Sequence, residues 1–311
     1  MMEGSCSKSE GMIALDWGTT NVRLALLAPS GDVIEERRGS SGVGSFSKSR
    51  FESHFEELTA GWPLVPVLAA GMVGSRQGWQ EVPYLTCPAS PNDLVNGLMT
   101  FTHRNRPITI VPGLQVLEDN RADVMRGEES QISGFLTQEP GFTGTLLLPG
   151  THSKWVSIEN GTVLDFKTYM TGEIFQAISQ HTILQHSLAE GDPDPNLFEE
   201  IACRLAQNNA SIGGQLFGLR ARHLLNGTDR SELHHELSAL LILSEIRSGQ
   251  TDGFDLCQNV NLIGSEGLTG LYKLVLQALG KPSTCIRGTA LVWPALHSLA
   301  IRAGLVRGIK S

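Results

Sequence analysis

Two stretches of this 311-residue chain share one plan. The first runs from Gly11 to Arg38. An apolar run (12–15) ends in Asp16, followed by the small-residue turn Gly18-Thr19-Thr20-Asn21 and a second apolar run (22–27). A turn at Ser30-Gly31-Asp32 leads into a third short strand. The second stretch begins at Thr145. An apolar run (145–148) meets the turn Pro149-Gly150-Thr151-His152-Ser153-Lys154. A strand (155–158), an Asn160-Gly161 turn and an alternating strand to Tyr169 follow. Gly18-Thr19 matches Gly150-Thr151. A unit repeated this far apart is no solenoid period. It predicts an α/β fold of two duplicated domains, with two similar hairpin tips facing one cleft.

Bulk properties narrow the partners. An apolar fraction of 41% with 18% charged residues is that of a globular chain. The net charge of −8 speaks against nucleic acid and against an anionic membrane surface. It leaves room for an anionic small substrate in a locally basic pocket. Five scattered cysteines without a CxxC pair point to reduced thiols in a cytoplasm, not to a disulfide framework or a zinc site. No apolar run reaches the ~18 residues of a membrane span. The first eleven residues, without an apolar core, read as a tail rather than a leader.

Along the chain, 51–58 reads as a helix and 64–70 as a buried strand. After it comes the glycine-rich segment 71–84, where an open α/β sheet places its ligands. A strand at 108–111 stops at Pro112-Gly113. The charged segment from Asp123 to Ile132 reads as the opening of a helix running to Leu136. Helical spacing recurs at 173–188, 196–207, 231–247 and 268–279. The boundary is set at Gly113, giving an N-terminal domain 1–113 and a C-terminal domain 114–311. The closing helix (288–306, interrupted near Pro294) packs back on the first.

Two turns rich in backbone N–H can clamp a triphosphate. Asp16 is placed to hold Mg²⁺, an ion that keeps several waters and uses few carboxylates. The turn Gly264-Ser265-Glu266-Gly267, at a strand–helix junction, admits a nucleotide base or ribose close to backbone. The plain alternative is a helix N-terminus capped by Ser265. The histidines at 181, 186, 234 and 235 lack HExxH spacing and read as surface or satisfied polar groups, not metal ligands.

The duplicated tips resemble the two phosphate motifs of the actin/hexokinase/Hsp70-type ATPase superfamily, with Gly264–Gly267 where its adenosine motif sits. More closely, AAGMVGSRQGWQEVPY, DVMRGEESQISG, LLLPGTHSKWVSIENG, TYMTGE and LIGSEGL, in this order, resemble the 2-dehydro-3-deoxygalactonokinase (2-keto-3-deoxy-galactonokinase) family. The likeness spans Met12 to about Tyr272. It implies ATP-dependent phosphorylation of 2-dehydro-3-deoxy-D-galactonate at its 6-hydroxyl, in galactonate breakdown. One departure stands out. Many superfamily members carry an acid in the second phosphate motif, whereas the position matching Asp16 is Leu148.

The resemblance implies roles. Gly18, Thr19, Thr20 and Asn21, with Gly150, Thr151, His152, Ser153 and Lys154, hold the ATP phosphates. Gly264, Ser265 and Gly267 hold adenosine, and Asp16 carries the metal. An acid before the second motif serves as catalytic base: Glu129 ahead of Glu128, with Asp123 in reserve. Arg76 is assigned the substrate carboxylate, bidentately, against a structural pairing with Glu81. Arg126 is the alternative for that carboxylate or for the transferring phosphoryl. Gln77, Trp79 and Tyr84 shape the sugar-acid pocket, although Trp79 reads equally as core. Lys154 either neutralises phosphate or is a solvated hairpin lysine. Thr171 and Glu173 bond sugar hydroxyls, or Thr171 caps its helix. Competing readings are an exopolyphosphatase-like hydrolase or another kinase of the superfamily, and a non-catalytic nucleotide sensor. A homodimer stays open.

Overall fold

The structure, a computed structural model, describes residues 11–40, 42–45, 50–191, 194–208 and 212–307. The chain divides into two compact units: 1–142 with 159–165 and 288–311, and 143–158 with 166–287.

The first unit opens with β1 (Met12–Trp17), β2 (Val22–Leu27) and β3 (Val33–Gly39), then α1 (Arg50–Leu58) and β4 (Val67–Gly71). There follow β5 (Leu85–Thr86), α2 (Pro91–Asn96), β6 (Met99–His103), β7 (Arg106–Ile110), β8 (Leu114–Glu118), β9 (Arg121–Met125) and α3 (Glu128–Gln138). The second unit holds β10 (Gly144–Leu148), β11 (Ser153–Glu159), β12 (Thr162–Tyr169), α4 (Thr171–His181), α5 (Pro195–Ala206) and α6 (Ile212–Asn226). It continues with α7 (Arg230–Thr251), β13 (Val260–Gly264), α8 (Glu266–Ala278) and β14 (Ser283–Arg287). Helix α9 (Thr289–Arg302) belongs to the first unit.

The expected duplication is visible in the sheets. The first unit has strand order β3-β2-β1-β4-β7-β6, and the second sheet runs β12-β11-β10-β13-β14. Each begins with a hairpin pair and continues with parallel neighbours: β1 pairs antiparallel with β2 and parallel with β4, as β10 does with β11 and β13. Central β1 has neighbours on both sides and helices over it. Its apolar run is therefore buried almost throughout. Trp17, Phe51 and Phe55 anchor the core of the first unit; Trp155, Phe198 and Tyr272 anchor that of the second. The turn between β11 and β12 is of the expected kind, with positive φ at both Asn160 and Gly161.

Several local expectations shift. The segment around Asp123 is strand β9, paired antiparallel with β8, and the helix begins only at Glu128. With α3, these strands fall in the first compact unit, which runs on past Gly113 to Phe142. Leu64 is exposed, and the strand starts at Val67. Helix α9 runs straight through Pro294. Helix α6 and strand β14 had no counterpart in the sequence reading. Among the described residues no helix is long and apolar enough to cross a membrane.

Candidate functional site

In the first unit three strand ends converge: the tip after β1, the end of β4 and the turn from β9 into α3. They meet through glycines. A Cβ on Gly71 (φ +90) would lie 2.8 Å from the Trp17 carbonyl oxygen and 3.4 Å from Asp16 Oδ1. A Cβ on Gly127 (φ +113) would lie 3.6 Å from Gly71 Cα. Any larger residue at Gly71 would be both strained and in collision.

Glu129 stands in the first turn of α3 and is 1% exposed. Its Oε2 accepts the Gly127 N–H at 2.6 Å, and its Oε1 has no partner. Burial, aided by the charge of Glu128, pushes its pKa up to about 8, against the pull of the Glu129 and Gly127 N–H groups and of Arg126. An acid poised near neutral pH is what proton transfer at a hydroxyl requires. Glu128 is half-buried and accepts the Arg126 N–H at 3.2 Å. Asp123 lies within β9, its carboxylate accepting from the Val124 N–H at 2.7 Å.

The two arginines differ. Arg126 is buried; Nη2 donates to the Val82 carbonyl at 2.7 Å and the guanidinium lies 4.3 Å from the Tyr84 ring centroid. Its Nε and Nη1 have no partner, nor has the buried Ser75 hydroxyl. Arg76 has an 83% exposed side chain and meets Glu81 at 3.6 Å. Gln77 is exposed. Trp79 packs its ring against Trp17, Phe55 and Phe101, in the core of the unit.

Thr19, Thr20 and Asn21 are exposed at the first tip. The carbonyls of Gly18, Thr19 and Thr20 accept N–H bonds from Val43, Gly44 and Gly42, which pins the tip from behind. Asp16 is paired: Arg23 Nη2 donates to its Oδ2 at 2.5 Å. Arg23 is the cross-strand register partner of Asp16 and stacks on Trp293 at 5.5 Å. The sequence reading passed over Arg23, yet counting back across the Gly18–Asn21 turn puts it opposite Asp16. Among the described residues no group of three or more His, Cys, Asp or Glu is placed to hold a metal.

The second unit holds a cavity of about 1000 Å³. Gly150 and Thr151 of the second tip line it, with Thr171 from α4 and Gly267 from α8. Gly264 and Ser265 stand just before this wall; the Ser265 side chain makes no cap bond, so the simple capping explanation fails. His234 and His235, read from the sequence as surface or satisfied polar groups, line the cavity, and the buried Nε2 of His235 has no hydrogen-bond partner. His234 meets the Phe175 ring edge-on at 5.1 Å, and burial holds its pKa below the usual range. Lys154 is buried, not solvated, with Nζ 3.4 Å from the His152 carbonyl oxygen. Ser153 is fully buried and its hydroxyl contacts Tyr272 at 3.0 Å. His152 and Glu173 form an exposed pair at 2.5 Å. Thr171 is not the helix cap, which is Met170; its hydroxyl turns inward to Glu245.

Comparison with known proteins adds the lineage. The family model described as 2-keto-3-deoxy-galactonokinase matches residues 16–299. The 2-dehydro-3-deoxygalactonokinase of Escherichia coli (strain K12) is 35% identical over 294 residues, covering 93% of this chain and 97% of that one. A Rhizobium meliloti (strain 1021) relative named for the same kinase is 36% identical, covering 86% and 89%. A Sinorhizobium meliloti crystal structure named for that activity superposes with a TM-score of 0.85 at 33% identity, covering 93% and 98%. The activator of 2-hydroxyisocaproyl-CoA dehydratase from Clostridium difficile shares the fold, with a TM-score of 0.52 at 14% identity over 97% and 98% of the two chains. The duplicated sheets, the five ordered motifs and these matches agree: this chain belongs to the 2-keto-3-deoxy-galactonokinase family, with the two-domain fold of the actin/hexokinase/Hsp70-type ATPases.

Proposed function

We propose that the chain transfers the γ-phosphoryl group of ATP to the 6-hydroxyl of 2-dehydro-3-deoxy-D-galactonate. The observation that carries this reading is Glu129, a buried acid with one free oxygen and a pKa of about 8, bonded to Gly127, the glycine that packs against Gly71. Its unpartnered Oε1 is the acceptor for the hydroxyl proton as the oxygen attacks phosphorus, while the Gly127 N–H holds Oε2 and fixes the rotamer. Phosphoryl transfer needs this positioning and charge neutralisation more than covalent help. A hydrolase or a sensor would have no use for a sugar-acid segment tied by Arg126 to the base.

For the carboxylate of the substrate we favour Arg126 over Arg76. An exposed arginine facing one glutamate gains little from an ion pair. A buried guanidinium with two unbonded nitrogens, packed against Gly74, has donors to give. Binding there requires the 74–84 segment to open enough to admit the carboxylate.

ATP occupies the cavity of the second unit, with its phosphates toward Gly150 and Thr151 and its base toward Phe175 and His234. Mg²⁺ fits Asp16: Oδ2 is bonded to Arg23, and glycine at position 71 leaves the approach to Oδ1 uncrowded. When bound, the ion would neutralise phosphate charge, with water filling most of its shell. The free thiols at Cys87, Cys203, Cys257 and Cys285 suit a cytoplasmic enzyme.

The test is a kinase assay with ATP against six-carbon 2-keto-3-deoxy acids of galacto and gluco configuration. Turnover of the galacto acid is expected to dominate; ATP hydrolysis without sugar phosphorylation would overturn the reading. In the same assay Arg126→Ala should raise KM for the keto acid at least tenfold, and Arg76→Ala less than threefold. The reverse order would return the carboxylate to Arg76.

A further inference from the structure

Beneath the second phosphate tip lies an acid that no part of the reading above uses. Glu245, in the middle of α7, is 3% exposed and is surrounded by donors. Trp155 Nε1–H donates to Oε1 at 2.8 Å, and the Tyr272 hydroxyl donates to Oε2 at 2.6 Å. The hydroxyls of Thr171 and Ser153 also bond to it. Ser153 in turn contacts the Tyr272 hydroxyl at 3.0 Å and accepts the Gly150 N–H at 3.5 Å. Burial raises the Glu245 pKa, and the hydrogen bonds oppose that rise.

Four elements meet at this one carboxylate: the tip and strand β11, the start of α4, the middle of α7 and the wall of the nucleotide cavity on α8. Two of its partners, Thr171 and Tyr272, line that cavity while their hydroxyls point to Glu245. The tip is fitted to α4 without slack. A Cβ on Gly172 would fall 2.6 Å from the Gly150 carbonyl oxygen, and the Glu173 N–H donates to the Thr151 carbonyl at 3.1 Å. A fold that needed only a packed core would fill this place with an apolar side chain, because a buried acid is costly unless fully bonded.

We propose that Glu245 is a positioning residue. Through Tyr272, Ser153 and Thr171 it holds the second phosphate-binding turn and the wall of the nucleotide cavity in one geometry, and so sets the affinity for ATP. The inference rests on the reading above only for the identity of the nucleotide. It does not depend on the sugar acid.

The acid accepts from every partner. Glutamine in its place must aim an NH₂ at a donor, so the Glu245→Gln change breaks the arrangement with almost no change in volume. ADP binding by calorimetry, KM for each substrate and thermal melting should be measured on Glu245→Gln, Tyr272→Phe and Trp155→Phe. Glu245→Gln and Tyr272→Phe are expected to weaken ADP and raise KM for ATP about tenfold, the scale of one lost bond to a charged group. KM for the keto acid should stay within twofold. Trp155→Phe removes the donor to Oε1, whereas Tyr272 donates to Oε2; it should lower the melting temperature and leave ADP affinity within twofold. Unchanged ADP affinity in folded Glu245→Gln and Tyr272→Phe would make Glu245 a structural acid only and overturn the proposal. Should Glu245→Gln fail to fold, Tyr272→Phe alone decides. ADP affinity is read without the sugar acid, so failure of the substrate assignment and failure of this proposal remain distinct results.

Discussion

The two hairpin tips share a backbone plan and differ in charge. In the first, Asp16 faces Arg23 across the register; in the second, Leu148 faces Lys154. The cationic position is kept and the acid is lost. At the first tip the positive charge is compensated by its own cross-strand neighbour. At the second, a buried lysine has an apolar residue as its register partner and follows a turn that lines the cavity of that unit. Their supports differ as well. The first tip is braced by main-chain bonds from residues 42–44, the second by α4 and by the bonds gathered at Glu245. Duplication thus preserved the N–H-rich turn while the charges around it diverged; under the proposed function, proton and metal chemistry fall to the first copy and nucleotide affinity to the second.

The division can be broken by substitution. The largest effect is expected at Glu129. Glu129→Gln should lower kcat about 10²–10⁴-fold, with Glu128→Gln losing less than tenfold; near-wild-type turnover in Glu129→Gln moves the base elsewhere. In the unaltered enzyme kcat should climb with pH through about 8, as Glu129 loses its proton. A profile flat from pH 6 to 9 would contradict this.

Next come the paired positions. Asp16→Asn should slow turnover roughly 10–100-fold and raise the Mg²⁺ needed for half-maximal rate. Lys154→Met should raise KM for ATP about tenfold and leave the Mg²⁺ requirement alone. If both variants shift Mg²⁺ and ATP alike, the tips do not divide the work.

A last prediction concerns stability rather than turnover. Glu129 keeps its proton when folded up to about pH 8, whereas an unfolded glutamate releases it near pH 4.5. The native state therefore binds the extra proton between these values. The contribution is full below the lower one and is lost as pH rises toward 8. Melting temperature should fall over that window, and less so in Glu129→Gln. Equal slopes for the two proteins would mean that the acid is not buried as described.

Much of this arrangement was readable before any coordinates, and the reason is locality. A strand, a Gly-Thr turn and a strand are contiguous, so both halves of the repeat show in the residue order. Helix α6 escaped because Gly213, Gly214 and Gly218 lower its propensity and its face toward solvent carries Phe217 and Leu225. Strand β9 reads as helix in the sequence because its charges suit a helix start as well as an exposed strand. Arg23 could have been found by counting register. The burial of Arg126 against Val82 and Tyr84, and the meeting of Trp155, Thr171 and Tyr272 at Glu245, join residues far apart in the chain. No pattern of spacing announces such contacts.

Helix α9 has a consequence for the order of synthesis. Gly134 of α3 approaches Leu291 so closely that a Cβ there would sit 2.3 Å from its carbonyl oxygen. The helix that carries Glu129 is thus completed by a segment translated more than a hundred residues later. A ribosome-bound chain that has not yet extruded α9 holds Glu129 on a helix with one face uncovered. Stalled chains lacking α9 should then be cut by protease within α3, and resistance there would show that α3 docks without it. The partner surface of α3 arrives with α9, so a half-made chain carries Glu129 on a helix not yet docked.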